Sequence, residues 1–316
     1  MKGLQPIRLA GYQGGASILT AALTSLARNL DGGGVCIPHL QSDVTAYGES
    51  ATSLFRSVEN GERHIAYMAS GYLSARVPEL MVLDLPFTIR DRGAALAALD
   101  GEAGRVLREA VAARSNYHVL AFWDNGFRHI SNAVRPIRHP SDCEGLVIRT
   151  LDSEVYRATL ASLGFRPVTT DVMDLVRVVQ EGTVHAQENP LTNLLSFELW
   201  RFHSHVTLTG HFFGVLLLVC QKQWYESLSP GQREELQHAV DDATAQQRRA
   251  AREQDHIALD RLRRHGVQLV APDAVDHAAM RACTEAVRRR YAARLPASLL
   301  QAYTGCPDPD TVFASG

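Results

Sequence analysis

A helix that outruns a single lobe constrains this chain more than any other feature. Ser229-Pro230-Gly231-Gln232 is a capping box with proline at the first helical position, and after Gly231 no glycine or proline interrupts the pattern until Gly266. Up to ~35 residues at ~1.5 Å each reach ~50 Å, more than the width of an ordinary domain. Such a helix needs two bodies to lie against. The length agrees, because 316 residues exceed one ordinary core and suit two domains with a cleft between them.

The remaining pattern says what the two bodies are made of. Residues 7–10 read as an apolar strand, the turn Gly11-Tyr12-Gln13-Gly14-Gly15-Ala16-Ser17 follows, and Ile18, Leu19, Ala22, Leu23 and Leu26 then recur at helical spacing. Asp31-Gly32-Gly33-Gly34 stops that helix. Further strands are expected at 35–37, 64–69, 82–87 and 118–123, with a helix at 50–58 and a helical pair over 90–115 around Asp100-Gly101. Strands alternating with helices argue for a mostly parallel α/β sheet. The alternation repeats after residue 150: helix 152–163, strand 165–168, helix 172–180, strand 183–186 and helix 191–202. Strands at 205–209 and 214–221 flank His211-Phe212-Phe213, where the chain can pass back between lobes. The expected division is lobe I, residues 1–124 plus about 214–255; lobe II, residues 125–213 plus about 256–305; and a tail, 306–316. The charge run from Arg248-Arg249 to Arg264 reads as a solvated helix face.

Composition excludes several function classes. Lys and Arg number 32 against 34 Asp and Glu, a formal charge of -2, so no basic face for nucleic acid is implied. The longest apolar run, residues 215–220, is far below the ~20 residues of a membrane-crossing helix. The first residues, MKGLQPIRLAGYQ, hold no apolar run of a secretory signal. Cys36, Cys143, Cys220, Cys283 and Cys306 are odd in number and lack a CxxC pair, which supports neither a disulfide framework nor a zinc site. His203, His205 and His211 lack the partners of a metal motif, so neither metal nor cofactor is expected. No GxSxG elbow or paired-carboxylate motif points to an enzyme. The rival to a binding protein is a nucleotide- or cofactor-binding α/β enzyme using the Gly11–Ser17 turn, although its spacing is not GxGxxG and no GK[ST] follows.

The best polar constellation consists of two arginines and an amide. Gly145-Leu146-Val147-Ile148-Arg149 places a guanidinium after a short apolar run, as a buried strand does when it delivers a charge to its C-terminal end, where open α/β sheets bind ligands. Arg128 precedes it by 21 residues. If both face one crevice, a carboxylate is the natural guest, because the planar fork of a guanidinium matches its two oxygens.

In order and spacing these motifs resemble the solute-binding subunits of tripartite ATP-independent periplasmic (TRAP) transporters, of the DctP or C4-dicarboxylate-receptor type. The landmarks are Glu59-Asn60-Gly61, Leu85-Pro86-Phe87, Gly126-Phe127-Arg128 with Ser131-Asn132, Arg135-Pro136-Ile137, Gly145 to Arg149, Gln187-Glu188-Asn189-Pro190, and Trp224 before Leu228. The resemblance spans essentially the whole chain. It implies a two-lobed, periplasmic-binding-protein-like (type II) α/β fold with a long helix spanning both lobes. It implies an exported, periplasmic and monomeric receptor, not an enzyme, that closes on a small organic acid and delivers it to TRAP membrane subunits. Arg149 inherits the bidentate bond to the solute carboxylate, and Arg128 and Asn189 complete the clamp. Tyr12, Gln13, Tyr72, Trp123, Asp152, Val172, His211, Phe212 and Phe213 are carried over as lining candidates, with Gln13 and Tyr72 expected to bring the first lobe onto the solute. His185-Ala186 replaces the acidic-glycine turn common in the family, and the strand ending Ala69-Ser70-Gly71 lacks an acid that some relatives carry. Tyr72, Trp123 and Phe212 suit a monocarboxylate with an apolar or aromatic body at least as well as a sugar acid.

Overall fold

The structure is a computed structural model and describes residues 5–32 and 36–305. The expected turn at Gly33-Gly34 and the tail 306–316 lie outside the described residues.

Two strands of unusual length organise the molecule. β4 (Tyr117–Asn132) and β8 (His205–Gln221) have 16 and 17 residues, against the ~5 to 6 of an ordinary strand. They pair antiparallel along most of their length, from Tyr117 opposite Gln221 to Asn132 opposite His205. On one side of this pair the sheet is completed by β3 (Ile65–Ala69), β1 (Gln5–Ala10) and β2 (Cys36–Gln41); on the other by β7 (Ala186–Pro190), β5 (Val147–Thr150) and β6 (Arg166–Thr169). β9 (Gln268–Val270) pairs with the start of β8. Within each half the neighbours are parallel, β1 with β2 and β3, and β5 with β6 and β7, while β3 and β7 run antiparallel to the crossing pair and β9 runs parallel to β8. The sequence pattern showed 118–123, 205–209 and 214–221 as separate strands. Gly126 and Gly210 hid their continuity, because glycine punctuates a strand pattern without always ending it.

The crossing is irregular where the halves meet. Register shifts fall at Asp124/Gly126 and at Arg128/Ile130, where β8 advances from Thr207 to Phe212 and Gly210 takes a left-handed φ of 55°. Gly214 sits opposite Gly126, and a Cβ there would meet the Gly126 carbonyl at 3.1 Å. A side chain at that position would push the two strands apart.

Helices α1 (Ile18–Gly32) and α2 (Ala51–Glu59) cover the first half, together with α3 (Arg92–Asp100) and α4 (Glu102–Arg114). The second half carries α5 (Glu154–Ser162), α6 (Val172–Gln180) and the short α7 (Leu191–Ser196). After α8 (Lys222–Ser227), α9 runs unbroken over Pro230–Arg264, opened by the Ser229/Gln232 capping box. Leu236, Ala239, Val240 and Ala243 of α9 pack into the first-half core; Ala258 and Leu262 pack with Leu175, Leu194 and Val206 of the second. At mid-length the Gln247 amide bonds both the N–H and the carbonyl of Asp124, at 2.9 and 2.6 Å. Arg248 is not solvated as its charge run suggested. It grips Asp100 at 2.6 and 2.8 Å and donates to the Phe122 carbonyl.

Three further expectations change. Residues 82–87 are not a strand: Pro78–Asp84 is a 3-10 helix with proline at its start, Leu85 alone is extended, and Pro86 and Phe87 form a turn with Phe87 at a left-handed φ of 58°. The helix expected over 191–202 ends at Ser196, because Glu198 adopts a left-handed φ of 52°. Residues 256–305 do not all belong with the second half. Met280 of α10 (His277–Ala292) packs there, but Tyr291, Leu295 and α11 (Ala297–Thr304) return to the first-half core against α3 and α4.

Leu236→Ala and Leu262→Ala are each expected to lower stability by about 2 to 5 kcal/mol. The two sites lie ~39 Å apart along the helix, so the double variant should show the sum if both halves unfold together. Urea titrations of the three variants measure this directly.

Candidate functional site

β5 brings Arg149 to its C-terminal end, where the side chain is only 3% exposed. Its Nε and Nη2 both donate to the Thr170 carbonyl, at 3.0 and 2.5 Å. The Tyr72 hydroxyl also reaches it; burial raises that hydroxyl's pKa and the guanidinium pulls it back. Among the described residues, no Asp or Glu pairs with Arg149. A guanidinium withdrawn from water onto one carbonyl is electrostatically incomplete.

Arg128 has a different fate. It lies on β4, 3% exposed, and forks onto Glu188 of β7, with Nε on Oε2 and Nη2 on Oε1, the latter at 3.0 Å. Nη2 also donates to the Glu188 carbonyl at 2.8 Å and to Asn189 Oδ1 at 3.2 Å. Thr150 Oγ1 adds a bond to Glu188 at 2.9 Å. Burial by itself would raise the Glu188 carboxyl, but Arg128 and His211 outweigh it and hold it down to about 2. Arg128, expected to complete the clamp, has its charge neutralised inside the protein and its Nε–Nη2 edge taken by Glu188.

A buried polar chain orients Asn189. Its Nδ2 donates to Gln187 Oε1 at 2.6 Å, Gln187 Nε2 donates to Ser131 Oγ at 2.6 Å, and Ser131 Oγ meets His203 Nδ1 at 2.8 Å. Burial pushes His203 down to about 4, so the ring is neutral near pH 7 and one proton is shared between Nδ1 and the serine hydroxyl. Asn189 Oδ1 also takes a bond from Asn193 Nδ2 at 3.2 Å.

The lining candidates separate by strand face. Arg128 opposes Phe212 in the ladder and Phe127 opposes Phe213, so Phe212 shares the face of Arg128 and Phe213 the opposite one. Phe212 packs on Tyr156 with ring centroids 4.2 Å apart, and Phe213 on Phe127 at 5.2 Å. Phe213 is thus corrected from lining to packing. Trp123 is corrected likewise: it is fully buried and its indole N–H donates to Thr244 Oγ1 of α9 at 3.0 Å. His211 turns Nδ1 to Thr209 Oγ1 at 2.7 Å and Nε2 toward Glu188, 3.7 Å away. Gln13 is buried with Oε1 accepting from Ser17 Oγ at 2.6 Å. Tyr12 packs edge-on to Phe55, and Phe55 to Tyr72. Val172 packs against the cores of both halves. Asp152 stands at the mouth, its side chain 77% exposed and paired with Arg157 at 2.5 Å. With Thr52, Tyr72, Thr169, Thr170 and Asp171 it lines a pocket of about 220 Å³.

Three residues here were not singled out from sequence: Glu188, Tyr156 and Asp84. Asp84 is fully buried, accepts from Ser70 Oγ at 2.8 Å and lies in the field of Arg128 and Glu188. Burial, only partly offset by Ser70 and Arg128, pushes its carboxyl up to about 7. The available signal was an acid inside an apolar run, as in Leu83-Asp84-Leu85.

The Gly11–Ser17 turn does not read as a phosphate cradle. Gly11 is there for close packing, since a Cβ would meet the Ser42 carbonyl at 2.8 Å and the Tyr67 ring at 2.9 Å. An Asp43 oxygen lies 3.7 Å from where a Gly14 Cβ would be, which places an acid beside the turn.

Two α/β halves joined by crossing strands, with an unpaired buried cation between them, define a two-lobed solute receptor. The chain belongs to the family described as bacterial extracellular solute-binding protein, family 7 (DctP), which matches residues 45–294. A solute-binding protein of Verminephrobacter eiseniae is 32% identical over 237 residues, 74% of this chain and 69% of its own. The 2,3-diketo-L-gulonate-binding periplasmic protein YiaO of Escherichia coli is 28% identical over 70% of this chain and 67% of its own. The crystal structure of a TRAP periplasmic solute binding protein from Polaromonas sp JS666 bound to D-erythronate superposes with a TM-score of 0.89. It is 26% identical and covers 96% of this chain and 99% of that one. The family consists of receptors, not enzymes. Among the described residues, no helix is long and apolar enough to cross a membrane.

Glu188→Gln is expected to lower stability by about 3 to 5 kcal/mol, because it strands the buried charge of Arg128; denaturant titration measures it. Asp84 acts through pH. Its folded carboxyl keeps its proton up to about 7, while an unfolded one releases it near ~4. Stability from this group is therefore full below pH ~4 and is lost as pH rises through about 7. Asp84→Asn should flatten the fall in melting temperature across that window.

Proposed function

We propose that this chain is a periplasmic receptor that takes a small monocarboxylate between its lobes on Arg149 and hands it to TRAP membrane subunits. The observation that carries this reading is the guanidinium of Arg149, buried without an acid partner among the described residues and held by the Thr170 carbonyl and the Tyr72 hydroxyl. A solute carboxylate would supply the missing charge through the remaining N–H groups, at the strand ends where α/β sheets bind ligands. Asn189, held by its polar chain, and the remaining Nη1 of Arg128 would take further solute oxygens. Tyr72, Gln13 and Tyr12 would meet the solute from the first lobe. Contact with both lobes is required, because a solute touching only one would not favour closure. We place the lobe boundary at the irregular crossing, near 124–126 and 213–214.

The charges around Arg149 favour one carboxylate over two. Glu188, Asp84, Asp171 and Asp152 are all acids, Arg128 is already neutralised, and the first-lobe candidates are uncharged. The nearby Arg157 is paired with Asp152 and Arg76 with Glu59, so a second carboxylate would compete with acids already in place. An affinity near ~1 μM, about -8 kcal/mol, suits a receptor that must release its cargo.

Arg149→Ala is expected to weaken binding by about 2 to 5 kcal/mol, and Arg149→Lys to recover only part, since an ammonium cannot make paired bonds. Thermal shifts with matched four-carbon hydroxy acids, one series with a single carboxyl and one with two, followed by calorimetry, test both claims. Near wild-type affinity in Arg149→Ala would reject the anchor, and a preference for the dicarboxylates would reject the charge argument.

A further inference from the structure

We propose that Asp171 is the clasp that holds the two lobes together, gripping the N-terminus of α2 across the cleft from a loop that Arg149 itself anchors. The first N–H groups of any helix have no partner within the helix. In α2 the cap residue Ser50 takes the N–H of Ser53, which leaves Ala51 and Thr52. Both donate to a residue 120 and 119 positions further along the chain, on the other half of the molecule: Ala51 N–H to Asp171 Oδ1 at 3.2 Å, and Thr52 N–H to Oδ2 at 3.4 Å. Thr52 Oγ1 adds a third bond to Oδ2 at 3.3 Å. The same carboxylate caps its own helix, with Oδ1 accepting from the Met173 N–H at 3.0 Å. One acid therefore terminates two helices, one from each lobe, and its negative charge faces the positive end of both dipoles.

The placement couples this clasp to the solute anchor. Thr170, the residue before Asp171, gives its carbonyl to both Nε and Nη2 of Arg149. Val172, the residue after, packs against the cores of both halves. Three consecutive residues thus hold the anchor, the opposite lobe and the apolar seam. Asp171 would set how tightly a solute is held through the population of the closed state, which scales apparent affinity.

This rests on the two-lobed receptor reading but not on the identity of the solute, so it is tested on solute-free protein. In Asp171→Asn, an amide NH2 in place of Oδ2 faces two donors, while the asparagine still caps α6. Ala51→Pro deletes one donor from the opposite side; proline suits the first helical position, and Ser50 already has the extended conformation that precedes proline. Hydrogen exchange read on peptides covering 50–56 should lose about tenfold protection at Thr52 in Asp171→Asn. Small-angle scattering should show a larger radius of gyration in both variants, with melting temperatures near wild type. Unchanged exchange and scattering in both variants would overturn the proposal, as would a fall in melting temperature with no opening. Arg149→Ala is kept out of this test because it also frees the Thr170 carbonyl beside Asp171; the Asp171 and Ala51 variants leave that bond in place, so their outcome does not depend on whether Arg149 binds the solute.

Discussion

The hydrogen-bonded crossing of β4 and β8 is the constraint on which the rest depends. A single sheet runs through both halves, so neither half can be placed without the other, and the elements on each side are built outward from the same two strands. The apolar residues of β8 from Val215 to Cys220 bury one end of the crossing, while polar and aromatic residues from Thr207 to Phe213 occupy its middle. That change of character along one strand turns a core into a site. It also explains why Gly126 and Gly214 face each other where the halves meet, since two backbones must approach closely there.

Two arginines that look equivalent in sequence differ in what the fold does with their charge. Arg128 reaches an acid two residues along the neighbouring strand, and the pair, with Thr150, becomes a rigid internal buttress. Such a buried pair contributes little net stability, because desolvation offsets most of the attraction, yet removing either member leaves an uncompensated charge. Arg149 is given a carbonyl and the Tyr72 hydroxyl, which fix the direction of the guanidinium without matching its charge. The first arginine has its charge matched inside the protein, and the second keeps a charge that no Asp or Glu among the described residues pairs with. The asparagine chain back to His203 belongs with the first, since it spends each amide proton on orientation.

Much of this was legible in the sequence. The capping box and the absence of breakers after Gly231 define α9 to the residue, as Pro230–Arg264 shows. The alternating pattern identified the parallel halves, and the apolar run before Arg149 placed it at a strand end. What periodicity could not supply was pairing. Whether Arg128 meets an acid depends on the register of β4 against β7, and whether Phe212 or Phe213 shares its face depends on a bulge that no local pattern announces. Trp123 looked like cleft lining because aromatics serve both purposes, and only its bond to Thr244 assigns it to the core. Asp84 sat in plain view inside an apolar segment, but its role needed Ser70 and Arg128 beside it.

The pinning of α9 at Asp124 has a mechanical result. Gln247 fastens the helix near its midpoint beside the irregular step at Asp124/Gly126, while its two ends are embedded in different cores. With one end seated in each core and its middle tied to the crossing strands, α9 cannot stay straight if the angle between the halves changes, so such a change would have to bend or shift it.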